Sequence, residues 1–242
     1  MTDESLDGVR VVLFDYGNTL AHLDHAFIAA TLAEHGHQVS PRAVEEADHA
    51  AKRWVDRLVA DRRAGRDGDR RLPYFAMILE SLDVAPERIE PVMRRLDAAN
   101  ASECLWRVVT QGTSDVLARL RARGYRLGVI SNADGRVPGD LARHGLARHF
   151  NAVLDSHFVG IEKPDPRIFA MALERLGATQ AEGVYVGDIH SIDIEGAERA
   201  GLTGVLLDPL NLYRGPTCRR IRALGDLLGL LPSVVGSPHG VR

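Results

Sequence analysis

Cysteine is nearly absent from this chain, and so is lysine. Cys104 and Cys218 are the only cysteines among 242 residues. They are too few and too far apart for a disulfide framework or a thiolate metal cluster, which predicts two free thiols in a reducing cytoplasm. Of 30 basic residues only Lys52 and Lys163 are lysines, so against an arginine-rich background each asks for a reason. No apolar run approaches membrane-spanning length. Met1–Ser5 is acidic, with no apolar stretch before the first strand, which predicts that no secretory or transit leader is present. Neither charge sign dominates. A formal net charge of -3 argues against a nucleic-acid partner and against an acidic solvating arm, and leaves small-molecule chemistry as the expectation. No internal repeat is evident.

What the chain does have is a series of short apolar runs that end in polar residues. Val9–Phe14 is apolar and rich in β-branched residues, and it stops at Asp15-Tyr16-Gly17-Asn18-Thr19. Such a run reads as a buried parallel strand delivering a carboxylate to its carboxyl edge. From about His25 to Asn100 the pattern is helical throughout. Phe27, Ile28, Thr31 and Leu32 lie at amphipathic spacing, Gly36 closes that helix, and Ser40-Pro41 opens another that continues to Arg62. The polar segment Arg63–Asp69 reads as a solvated loop, with further helices around 72–82 and 86–100. Beyond Val109 strand and helix alternate, with strands at 125–130, 152–154, 183–186 and 204–207 and a loop over 187–193. Five strands with helical crossovers predict an α/β fold, a doubly wound parallel sheet of Rossmann-like type with a second, smaller α-helical cap domain. The expected boundaries are 1–22 and 103–231 for the core, 23–102 for the cap and 232–242 for a loose tail.

Four strand ends then carry chemistry: Asp15, Ser131 with Asn132, Lys163 ahead of Pro164, and Gly187-Asp188 with Asp193. In this order and at this spacing they resemble the four motifs of the haloacid dehalogenase superfamily of hydrolases. The helical insert resembles the cap that subfamily I places between its first and second motifs. The resemblance spans roughly Val9 to Pro209. It implies a hydrolase in which Asp15 is the nucleophile and forms an aspartyl-phosphate. Asp15, the Gly17 carbonyl, Asp188 and Asp193 would hold Mg²⁺. Ser131, Asn132 and Thr19 would bind the phosphorylated substrate, and Lys163 would bridge nucleophile and phosphate as a compact charge. Which of Asp188 and Asp193 binds the ion directly is left open. The partner implied is a small phosphorylated metabolite, with no nucleic acid and no membrane.

One position departs from the family's phosphatases. They carry a second Asp two residues after the nucleophile to protonate the leaving oxygen, and here that residue is Gly17. An acyl phosphate would need little protonation, or another group could substitute, with Asn18, His22, His190 or a cap residue as candidates. Dehalogenases of the family also lack this Asp, but they lose the metal carboxylates too. Phosphonatase-like members pair a small residue here with a cap lysine, for which Lys52 is the only candidate. A non-catalytic phosphate- and metal-binding protein is the remaining alternative. Lys52 is otherwise expected on an exposed helix face, and His22, His25 and His190 in solvated loops.

Overall fold

The computed structural model describes residues 6–61, 65–213 and 218–234. The chain divides into two compact units, Met1–Leu20 with Thr110–Arg242, and Ala21–Val109. The strands in chain order are β1 (Val11–Phe14), β2 (His22–Leu23), β3 (Trp106–Val108), β4 (Arg126–Ser131), β5 (Ala152–Asp155), β6 (Gly183–Gly187), β7 (Thr203–Leu207) and β8 (Arg219–Ile221).

The first unit is an α/β sandwich on a six-stranded parallel sheet ordered β5-β4-β1-β6-β7-β8. Leu13 of β1 lies beside Gly128 of β4 on one side and Tyr185 of β6 on the other. Every residue of β1 is fully buried, as a parallel strand covered on both faces requires. The chain runs outward from β1 through β4 to β5, then returns to β6 and leaves for the opposite edge. The order therefore reverses at β1, and its carboxyl end is the switch point where open sheets form their sites.

Close packing beneath that point rests on Gly128, where an added Cβ would lie 2.7 Å from Leu13 Cδ2. Val11, Leu13, Ile130, Phe169, Leu173 and Tyr185 belong to one buried cluster here. Helix Pro166–Leu176 supplies Ile168, Phe169, Ala172, Leu173 and Leu176 from a single face. It starts at Asp165, whose side chain accepts from Arg167 N at 3.0 Å, and it ends at Gly177 in the left-handed region.

The sequence implies five strands in this sheet, and the described residues form six. The addition, β8, is a three-residue edge strand beginning Arg-Arg, and a charged edge hides the apolar pattern that marks inner strands. The loop expected over 187–193 contains a widened helical turn, His190–Ile194, leading into helix Glu195–Arg199. The tail expected from Pro232 is tied down where it is described: Val234 N donates to Arg123 O at 2.8 Å, and the Tyr125 hydroxyl donates to Pro232 O. Residues 235–242 lie outside the described residues.

The second unit holds helices His25–Glu34, Pro41–Ala60, Asp67–Ser81 and Pro86–Ser102. β2 and β3 pair antiparallel, His22 with Val108 and Leu23 with Trp106; strands this short leave no periodicity to read. Caps fit the sequence where a short polar side chain precedes a helix. Asp24 accepts from Phe27 N at 2.9 Å and Ser40 from Ala43 N at 3.1 Å. The third helix begins at Asp67, inside the segment expected to be loop. Arg66 N donates to Asp69 Oδ2 at 3.1 Å and Arg70 reaches back to Gly65 O at 2.9 Å, so those polar residues cap and fill a first turn instead of dissolving it. Residues 62–64 of that expected loop lie outside the described residues. No helix among the described residues is long and apolar enough to cross a membrane.

Candidate active site

Asp15 is the first residue past β1, and its N–H donates to Val186 O at 2.8 Å, which fixes the backbone against β6. The chain turns at once: Asn18 takes a left-handed φ of 54°, tolerable for Asn, and Leu20 N donates to Tyr16 O at 2.9 Å. The turn buries Thr19 fully, with its hydroxyl unbonded among the described residues. Ser131 closes β4 and is buried beside this turn's strand. Asp155 and Ser156 at the end of β5 shape the loop that follows Ser131. Asp155 Oδ2 accepts from Gly135 N at 3.0 Å, and Ser156 Oγ accepts from Ala133 N at 3.1 Å.

Lys163 lies far from Asp15 in sequence and in contact with it in space. Only 3% exposed, it places Nζ 2.6 Å from Asp15 Oδ1, 2.7 Å from Asp193 Oδ1 and 2.8 Å from the Tyr185 hydroxyl. Its backbone is clamped by Asn132, which donates Nδ2 to Lys163 O at 2.9 Å and accepts from Lys163 N at 2.8 Å. Asn132, expected to bind substrate, thus uses one N–H and the oxygen of its amide to hold the lysine backbone.

Asp193 is 1% exposed. Its Oδ2 accepts from the N–H groups of Asp188 at 3.1 Å and Ile189 at 3.0 Å, and its Oδ1 faces Lys163 and Tyr185. Ligand atoms of Asp15, Asp188 and Asp193 all lie within 4.8 Å of one another, and all three residues are buried. Three carboxylates and one ammonium leave the cluster formally at -2. Burial, with the Asp193 and Asp188 charges adding to it and Lys163 opposing, pushes Asp15 up to about 8. Burial also works against the Lys163 ammonium, but Asp15 and Asp193 outweigh it and hold its pKa above the ordinary lysine value. A hard dication fits such a donor set, because it would offset the excess charge and favour the ionised form of Asp15.

The second unit contains a polar cluster that includes Lys52, His22 and His25, all expected in solvent. Lys52 is only 6% exposed and Asp48 is buried beside it. His25 Nε2 lies 3.0 Å from Asp48 Oδ2, and the Tyr74 hydroxyl donates to the other oxygen. Burial opposes the charge on Asp48, but Lys52 and these two hydrogen bonds hold its pKa below the usual carboxylate range. His22 sits in β2, half-buried; burial first and the Lys52 charge second push it down to about 4. His190 pairs with Glu195 at 3.4 Å. None of the three histidines is a solvated loop residue. Neither Cys104 nor Cys218 forms a disulfide.

Comparison with known proteins converges on one family. A family model described as haloacid dehalogenase-like hydrolase matches residues 9–201. The human "Haloacid dehalogenase-like hydrolase domain-containing protein 3" is 30% identical over 96% of this chain and 98% of its own length. "Glyceraldehyde 3-phosphate phosphatase" from Methanopyrus kandleri is 29% identical over 81% of this chain and 83% of its own. Among solved structures, a HAD phosphatase from Thermococcus onnurineus superposes with a TM-score of 0.56 at 25% identity, covering 90% of this chain and 96% of that one.

Proposed function

The chain belongs to the haloacid dehalogenase-like hydrolase family, and from that premise we propose that it is a Mg²⁺-dependent phosphatase of a small phosphorylated metabolite. The observation that carries the reading is the contact of Lys163 Nζ with Asp15 at 2.6 Å inside the buried Asp15–Asp188–Asp193 cluster. A carboxylate on a strand end, held by one cation and facing two further carboxylates that could share a dication, suits attack on phosphorus.

Asp15 attacks the phosphorus, a bond forms from its carboxylate oxygen, and the P–O bond to the leaving group breaks. Water then attacks the aspartyl-phosphate, releases phosphate and restores the carboxylate. Lys163 keeps the nucleophile oriented through Oδ1, and Asn132 holds Lys163. Asp15 and Asp188, with the Gly17 carbonyl, are assigned as the direct metal ligands. Asp193 orients the site from behind them, since its oxygens are engaged by two N–H groups, the ammonium and the Tyr185 hydroxyl. Bound Mg²⁺ supplies positive charge for the phosphoryl oxygens and for Asp15. Ser131 and Thr19 are assigned to the phosphoryl group, which the buried and unbonded Thr19 hydroxyl supports. The helical unit, inserted between the Asp15 turn and the Ser131 strand, is assigned as the cap that selects the substrate. A cytoplasmic setting fits the two cysteines outside any disulfide.

Dehalogenation fits less well. Halide displacement needs no cation, and without one the three clustered carboxylates repel. With Gly17 in place of an acid, activated leaving groups such as acyl phosphates are the favoured substrates. Phosphate release from a panel of acyl, aryl and alkyl phosphates, with and without Mg²⁺ and against Asp15→Asn, tests the proposal. Release that exceeds the control only with the metal is expected. Binding of Mg²⁺ and beryllium fluoride without any turnover would instead mark a non-catalytic member.

A further inference from the structure

Tyr185 sits in the middle of β6, fully buried, and its ring packs edge-on against Phe169 with centroids 5.0 Å apart. Phenylalanine would satisfy that packing. The hydroxyl is therefore the part that asks for an explanation, and its neighbours are the catalytic groups. It lies 2.8 Å from Lys163 Nζ, 3.1 Å from Ile130 O and 3.3 Å from Asp193 Oδ1. An ammonium has three N–H donors and no acceptor, so Lys163 donates to Asp15, Asp193 and Tyr185 and has none to spare. The phenol has one hydrogen. Asp193 Oδ1 already accepts from the lysine at 2.7 Å, and the nearer free acceptor is the Ile130 carbonyl. The chain of donation thus runs from Lys163 to Tyr185 to Ile130, the residue before Ser131. Because β6 and β4 flank β1 on opposite sides, this side chain joins the strand ends that carry Asp188 and Ser131 while steadying the cation between them.

We propose that Tyr185 is a positioning residue for Lys163: its hydroxyl takes the third N–H of the ammonium and so holds that charge on the nucleophile and Asp193, not on the substrate. The bonding follows from the geometry alone, and its catalytic consequence rests on the phosphatase reading above. Loss of the hydroxyl should accordingly slow the chemical step and leave substrate affinity alone.

The chain's two lysines make the test direct, since ε-¹⁵N-lysine labelling of the full protein yields two side-chain resonances. That of Lys163 is the one lost in Lys163→Arg or, should that variant not fold, the one kept in Lys52→Arg. In Tyr185→Phe the Lys163 ammonium protons are expected to exchange with water about tenfold faster than in wild type. With Mg²⁺ and an acyl phosphate, kcat should fall about tenfold while KM stays within about twofold. Unchanged exchange, unchanged kcat in an active enzyme, or a rise in KM at constant kcat overturns the proposal. If Tyr185→Phe does not fold, wild-type protein decides: a nuclear Overhauser contact between the Tyr185 hydroxyl proton and the Lys163 ammonium is expected, and its absence overturns the assignment. Both spectra are independent of turnover. Wild-type protein releasing no more phosphate than Asp15→Asn would remove the phosphatase reading, and the Tyr185 contact would still stand or fall on the spectra.

Discussion

Gly187 is glycine because Asp193 occupies the space a side chain would need. A Cβ there would lie 2.4 Å from Asp193 Cγ and 2.6 Å from Oδ2. The carboxylate is not free to yield, since two N–H groups hold Oδ2 and Lys163 holds Oδ1. Gly187→Ala should therefore displace Asp193, cost about 1–3 kcal/mol in unfolding free energy and weaken Mg²⁺ binding by roughly 10- to 100-fold. Thermal unfolding and titration calorimetry check the two effects, and metal binding equal to wild type would show that Asp193 has no part in the ion's setting. Gly17 stands two residues after Asp15, where a carboxylate could protonate a leaving group. Gly17→Asp should raise kcat/KM on alkyl phosphates by up to about 10²-fold, with a much smaller gain on acyl phosphates whose leaving groups need no proton. Equal gains on both, measured as phosphate release, would show that leaving-group protonation is not what the position limits.

At the scale of elements, the helix Pro41–Ala60 and β2 carry a network whose titration shapes stability. His22 is held near 4 in the folded chain against an ordinary 6.5. As pH falls through that interval the unfolded chain takes up a proton that the folded one refuses. The stability from neutral His22 is thus complete above about 6.5 and is lost toward 4, by on the order of 2–3 kcal/mol. Urea unfolding at pH 7 and pH 4.5 should show His22→Gln gaining stability relative to wild type at the lower pH, a difference that isolates His22 from other titrating groups.

The network also marks a limit of reading by residue type. Val44, Ala47, Asp48, Ala51, Lys52 and Val55 are the buried stripe of that helix, spaced by threes and fours as a helix face must be. Position places Asp48 and Lys52 inside, while their charge suggests solvent. The sheet was more legible, because buried parallel strands are apolar runs and Asp15, Ser131 and Asp188 each stand where such a run stops. Tyr185 escaped notice for the complementary reason. A mid-strand aromatic is ordinary core by its pattern, and only folding brings its hydroxyl to a lysine 22 positions away in sequence. Asn132 was visible as a site residue, but its grip on the Lys163 backbone depends on a contact between loops that no local spacing encodes.

For the whole molecule, the proposed metal would couple to protons and stability through Asp15. A buried carboxylate held at about 8 keeps its proton where the unfolded chain, near 3.8, has lost it. Its contribution therefore lowers stability progressively as pH rises from about 4 to about 8, the opposite sense to His22. The two slopes oppose each other up to about 6.5, and Asp15 remains above it, so metal-free protein should lose stability between pH 6.5 and 8. Mg²⁺ must displace the Asp15 proton wherever it is still bound. Below pH 8 the dissociation constant should fall roughly tenfold per pH unit, with about one proton released per ion. Calorimetry at pH 6.5 in two buffers of different ionisation enthalpy measures that proton directly, and melting with and without Mg²⁺ should show a larger gain at pH 8 than at pH 6. Binding that releases no proton and does not vary with pH would mean that Asp15 is already ionised by Lys163 alone. The cation would then serve the substrate's phosphoryl group and not the nucleophile.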